Sequence, residues 1–227
     1  AALLTFALNA VAAETKPTGT LIDFQAQAQR SAPNDLGYAA MYFEATGAHA
    51  GELSKRVNQA ISAALATAKS HPEIKVKSGS TQTYPVYAKG NRTIESWRMR
   101  SEVLLESRDA AALSDLVGKL QATLAVGSMR FTPAPETLRK ADDEAAMDAL
   151  AAFQEKATRY AAALKKQYRI VSITIGSNGV PPAPSERYAM MKAVADSMPV
   201  EAGESQIVVG VTGQIELLES AASSARP

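Results

Sequence analysis

"QTYPVYAKGNRTIESWRMR", residues 82–100, decides the fold. Its middle, "AKGN", supplies the small and φ-permissive residues of a tight turn. Beyond the turn, a run from Thr93 to Ser107 alternates: Trp97, Met99, Ser101, Val103 and Leu105 fall on one face, Arg98, Arg100, Glu102 and Glu106 on the other. A period of two is the signature of a half-buried strand. The stretch therefore reads as two strands and the turn between them. The only tryptophan lies on the apolar face, as a packing anchor, with the arginines on a solvated face; a base-stacking platform would expose its aromatics among the charges. In the strand before the turn, Ile74, Val76, Ser78, Ser80, Gln82, Tyr84 and Val86 share one face, and Lys75, Lys77, Thr81 and Thr83 the other. Polar residues on both faces halfway along predict a bend or a sheet edge.

Working outward, Ile22, Phe24, Ala26 and Ala28 alternate with polar residues over 21–30, "SAPNDLG" follows with turn-forming residues, and Tyr38 to Ala45 reads as a second strand. These two are expected to form a hairpin with an elongated turn. Leu53, Val57, Ile61 and Leu65 predict a helix over 51–70, ended by His71 and Pro72. Leu113, Leu116, Val117, Leu120 and Leu124 predict a second helix, and "VGSMRFTPAP" a short strand. Pro135 and Glu136 open a long helix with a buried stripe of Leu138, Ala146, Leu150, Phe153, Ala157, Ala161 and Leu164. "YRIVSITIGSNG" is a strand, residues 186–197 a short helix, and Ile207, Val209, Val211, Gly213, Ile215 and Leu217 mark a long final strand. The class is α+β, an antiparallel-rich sheet packed on amphipathic helices, with the long helix leading into a second α/β lobe. The expected lobes are 14–134 and 135–218, with a mobile tail over 219–227.

At 227 residues the chain can bury roughly 70% of the surface its unfolded form exposes, so its core needs neither disulfide nor metal. Lys and Arg number 24 and Asp and Glu 23, interspersed, which leaves no broad basic footprint for nucleic acid. The absence of cysteine excludes thiol catalysis, cysteine-ligated zinc and disulfides. Residues 1–13, "AALLTFALNAVAA", form an apolar run ending in small residues, with Val11 and Ala13 where a signal peptidase reads. The run is too short to span a bilayer as a helix. It reads as the remnant of a signal peptide, with a core helix as the alternative, and the first reading predicts a periplasmic or secreted protein. No other stretch is long and apolar enough to cross a membrane.

Candidate chemistry is sparse. The two histidines, His49 and His71, fall at helix boundaries. His49 and Glu52 have i, i+3 spacing without a third ligand, so a surface or capping role is expected and no metal. Neither histidine is accompanied by a nucleophile-elbow sequence. Asp142, Asp143 and Glu144 are successive helix positions about 100° apart, which keeps them from sharing one proton and makes them a solvated face. Without a glycine-rich phosphate loop, no nucleotide cofactor is expected.

In order and spacing, "APNDLGYAAMYFEATG", "TQTYPVY", "IESWRMRSEVLLESRD", "VGSMRF", "KATRYAAAL" and "GESQIVVGVTGQIEL" make the chain resemble secreted bacterial SIMPL-domain proteins, over nearly all of it beyond the apolar start. The resemblance implies an exported α/β protein of unknown molecular activity, associated with defence against oxidative stress, and brings no established catalytic residues. It also implies a Gly-Tyr pair where this chain has Ser96 and Trp97, and a glycine after the long helix where it has Lys165 and Lys166.

The remaining candidates are surfaces. Tyr38, Tyr84, Pro85, Tyr87 and Trp97 concentrate rigid aromatic area near strand ends, as an interface or ligand surface, with core and edge packing as the plainer alternative. The expectation is a non-enzymatic, self-assembling scaffold or stress-associated binding protein of the periplasm. A small-molecule binder using a pocket of Tyr84, Tyr87 and Trp97 is the alternative, and a hydrolase with an unrecognised site the third.

Overall fold

The computed structural model describes residues 19–90, 93–177 and 202–218. The chain is α+β. Its elements are β1 (Thr20–Pro33), β2 (Leu36–Gly47), α1 (Ala50–Ala68), β3 (Ile74–Tyr87), β4 (Ile94–Ser107), α2 (Ala110–Leu120), β5 (Ala125–Thr132), α3 (Pro135–Ala163), β6 (Gln167–Ser177) and β7 (Glu204–Leu218). A four-stranded sheet is ordered β3-β4-β2-β5 and a three-stranded sheet β1-β7-β6. The apolar run over 1–13, the predicted helix over 186–197 and the tail over 219–227 lie outside the described residues. The described chain divides into two compact units, one of residues 29–90, 93–145 and 202–208, the other of 19–28, 146–177 and 209–218.

In the first unit the opening hairpin forms as expected. Ala88 N donates to Thr93 O at 3.0 Å, and Gly90 takes φ +78°, a conformation that costs glycine nothing. Met99, Val103 and Leu105 of β4 are buried against Leu53, Val57 and Ile61 of α1 and Leu113, Leu116, Val117 and Leu120 of α2, with Trp97 half-buried at the rim. Each fully buried aliphatic side chain is worth about 1.5–3 kcal/mol, so this face decides which side of the sheet the helices cover. Asp109 caps α2, accepting from Ala112 N at 2.9 Å. That helix ends at Leu120, and Leu124 is buried just beyond it rather than within it.

The expected β1–β2 hairpin is not formed. β1 continues through Ser31, Ala32 and Pro33, and the two strands belong to different sheets. The turn-forming residues are engaged elsewhere. Asn34 donates its main-chain N–H to Gly203 O (3.1 Å) and Nδ2 to Ala202 O (2.8 Å), and accepts from Ser205 Oγ at 2.6 Å. Asp35 accepts from Ala134 N (2.6 Å) and Thr137 Oγ1 (2.7 Å). Ala134 holds the N-cap position of α3, its carbonyl accepting from Leu138 N, and has no side-chain acceptor of its own. Asp35 supplies that acceptor from about a hundred residues away.

In the second unit, Phe153 of α3 is fully buried, stacked on Phe24 at 4.4 Å, while Tyr160 meets Phe24 edge-on at 5.2 Å. A side chain at Gly213 of β7 would bring its Cβ to 2.7 Å from Phe153 Cζ, so the ring needs glycine beneath it. Across α3 the buried row is Ala141, Ala145, Ala149, Phe153, Ala157 and Ala161. It shares Phe153, Ala157 and Ala161 with the expected stripe, but Ala146 and Leu150 are only half-buried, and Leu164 is exposed. A row at every fourth residue drifts about 40° per step round the helix, as a ridge inclined to the axis does, so a straight stripe fits only part of it.

Candidate functional site

The strand alternation of β4 points Arg98, Arg100 and Glu102 to the face of the four-stranded sheet opposite α1 and α2. Antiparallel register sets them across from Thr46, Glu44 and Tyr42 of β2. On the other side β3 shifts register between Ser78 and Thr81, so Ile74, Val76 and Ser78 oppose Ser107, Leu105 and Val103, whereas Gln82 and Tyr84 oppose Arg100 and Arg98. The bulge at Gly79 and Ser80 thus turns the second half of β3 over. This corrects the expected facing of Tyr84, which belongs with the arginines, while Trp97, opposite Pro85, lies on the core face as expected. A pocket of Tyr84, Tyr87 and Trp97 does not form.

An open cleft of 490 Å³ does form on the outer face. Glu44, Gln82, Tyr84, Arg98, Arg100 and Glu102 line it, together with Ser80, Pro85 and Val86. The Arg100 guanidinium lies 3.6 Å from the Tyr42 ring centroid while Nε and Nη2 donate to Glu102 Oε1 at 3.2 and 3.1 Å. Ser80 Oγ donates to the other carboxylate oxygen at 3.1 Å. Arg100 is therefore fixed, while Arg98 is 52% exposed and holds Glu44 only at 3.7 Å. Sequence reading missed this group because it classed Arg98, Arg100 and Glu102 as a plain solvated face; their alternation on one strand was the available signal.

Tyr38 lies on the same outer face, half-buried, with Arg130 at 4.9 Å over its ring, and lines a second cleft of 470 Å³ with Lys75, Glu106 and Arg108. Its β4 partner is Glu106 and that of Tyr84 is Arg98, eight residues apart, or about 27 Å along the strand. The two tyrosines serve separate clefts. Tyr87, opposite Ile94 at the hairpin end, is exposed. Beside the second cleft, burial would raise the Asp35 pKa, but the Ala134 amide, the Thr137 hydroxyl, its own amide and the Arg108 guanidinium outweigh that and hold it below the ordinary carboxylate value.

The histidines do not meet. His49 precedes α1 at its N-cap without a side-chain cap bond, and His71 follows the other end, so the 19-residue helix keeps them about 28 Å apart. His71 is engaged, Nδ1 with Ser70 Oγ at 3.2 Å and Nε2 with Lys119 Nζ at 3.3 Å. Asp143 and Glu144 are exposed and Asp142 half-buried. Among the described residues no cluster of three metal-ligating side chains occurs, and no helix is long and apolar enough to cross a membrane.

A buried carboxylate that the sequence did not flag lies in the second unit. Glu216 of β7 is 2% exposed, accepts from Arg169 Nε and Nη2 at 2.7 and 2.6 Å, and accepts from Gly19 N at 2.7 Å. Its position in the alternating "QIELL" is the outward one, so only the structure shows what covers it.

Comparison with curated proteins gives no match. Among solved structures the chain is similar to an amidase of the hydantoinase/carbamoylase family from Burkholderia multivorans, at 13% identity and TM-score 0.27, over 47% of this chain and 28% of that one. It is also similar to a putative amidohydrolase/peptidase from Burkholderia cenocepacia, at 16% identity and TM-score 0.28, over 56% and 35%. The chain spans about a third or less of those structures, and likeness at these scores carries no functional argument. The family model described as SIMPL, protein of unknown function (DUF541), matches residues 22–215, and the chain belongs to that family.

Proposed function

We propose that this SIMPL-family chain is an exported, non-enzymatic protein that assembles with itself and serves as a scaffold or stress-associated binding module in the periplasm. The observation that carries the reading is that neither sheet closes: among the described residues β3, β5, β1 and β6 each present an outer edge without a neighbouring strand. Unpaired main-chain N–H and C=O groups in a row are a template for another chain. Export rests on the apolar run over 1–13 with its peptidase-like end. Light scattering from micromolar to millimolar protein tests the assembly: a mass of at least twice the chain is expected, and a single-chain mass throughout would end that reading.

A second reading, small-molecule binding, is favoured by the 490 Å³ cleft and its under-engaged Arg98. Thermal-shift screening against periplasmic metabolites tests it. A ligand at a hundred times its dissociation constant adds about 2.7 kcal/mol, and Arg98→Ala should remove that gain.

A further inference from the structure

Among the described residues the four open edges differ in chemistry. β3 carries Lys75, Lys77 and Pro85, all of which hinder edge-to-edge pairing. β5 is eight residues long. β1 is lined with Asp23, Gln25, Gln27, Gln29 and Arg30 and ends at Pro33. β6 has no lysine and no proline, and Ile170, Val171, Ile173 and Ile175 are 37–49% exposed. Opposed residues in an antiparallel ladder share a face. Ile170, Ile173 and Ile175 oppose Ile215, Gly213 and Val211 of β7, all buried, with Gly213 under Phe153 of α3. The register shift between Ile170 and Ser172 makes Val171 the extra residue, which brings its side chain to the same side. The outer strand therefore presents an apolar row on the α3 side, while Ser172 and Thr174 point the other way. Such a row is what a strand inside a sheet carries, not one at its rim.

We infer that β6 is the self-assembly edge and that it pairs antiparallel with β6 of a second copy about a two-fold axis at Ile173. It takes the self-assembly proposed above as its premise. The occupant follows from the strand's own complementarity. In a perpendicular two-fold pairing centred on Ile173, residues whose numbers sum to 346 face each other. Ile173 then meets its mate, Val171 meets Ile175 twice, and on the other face Ser172 meets Thr174 twice. Shifting the axis to Ser172 sets Ile175 against Arg169, and shifting it to Thr174 sets Val171 against Ser177, so the Ile173 axis alone matches all three odd-numbered apolar residues with one another. Two three-stranded sheets would join into one of six strands with the exposed row covered across the seam. The interface is isologous, as a closed dimer requires.

The cysteine-free chain gives a direct test. Directly opposed residues in an antiparallel pair have Cα atoms about 4.5–5.5 Å apart, inside disulfide range. Ile173→Cys, folded and mildly oxidised, should run as a covalent dimer on a non-reducing gel. Ile175→Cys should not, because its mate would lie about 13 Å away. Mixing Ile175→Cys with Val171→Cys should give the covalent heterodimer. Ile173→Lys, with circular dichroism matching the parent, should weaken association at least tenfold by sedimentation velocity. A native oligomer in which Ile173→Cys does not cross-link and Ile173→Lys changes nothing overturns the β6 assignment and leaves self-assembly standing. A monomer at millimolar concentration overturns both.

Discussion

Lys165 takes φ +53° at the end of α3, where Lys166 N donates to Ala161 O and Lys165 N to Ala162 O, each at 3.0 Å. These two bonds are the Schellman closure, whose left-handed position costs an L side chain roughly 1–2 kcal/mol and glycine none. Lys165→Gly is therefore expected to stabilise the chain by up to about 1 kcal/mol after the added freedom of the unfolded glycine is discounted, read as a higher urea midpoint. Lys165→Val should lower that midpoint, being β-branched. The glycine implied there by the family resemblance has this physical reason, which the sequence alone did not expose. Glu216 makes the opposite case. Arg169→Ala leaves a carboxylate that is 2% exposed with less compensation, at an expected cost of about 2 kcal/mol, since the Gly19 amide stays and Arg169 is itself half in solvent. A cost within experimental error would show that water reaches Glu216.

The start of α3 depends on Asp35, and its folded pKa is held below the ordinary 3.8. A carboxylate with a depressed folded pKa contributes stability that is complete above its unfolded value and is lost as pH falls through the folded one. Asp35→Asn should thus cost about 1 kcal/mol at pH 7, and the gap between variant and parent should close progressively below about pH 4 in paired denaturation curves. Equal gaps at pH 7 and pH 3 would show that the charge plays no part. Elements whose side chains obey one period were legible: Ile22, Phe24 and Ala26 on β1, Trp97 to Leu105 on β4, Ile207 to Leu217 on β7. Legibility stopped where one residue breaks the count. The bulge at Gly79 and Ser80 moved Tyr84 to the arginine face; the polar residues halfway along the strand predicted a bend or an edge there, but not that one inserted residue reverses the facing beyond it. Asn34 and Asp35 looked like a turn because the same side-chain oxygens that close turns also serve distant amides.

For the whole molecule, pairing through β6 predicts that thermal stability rises with protein concentration, because dimer formation draws the folded state by mass action. The melting temperature of the parent should climb between 1 µM and 100 µM, that of Ile173→Lys should stay level, and a flat parent series would argue for a monomer. The class, the covered face of the four-stranded sheet and the edge character of β3 were readable from periodicity; which strands are neighbours was not, since pairing between distant segments leaves no local mark. β7 illustrates the point, being the last described strand in the chain and the middle one of its sheet. Until residues 204–218 have been made, β1 and β6 have nothing between them to bond. The three-stranded sheet is therefore a keystone arrangement, in which two flanking strands wait unjoined for the one that locks them.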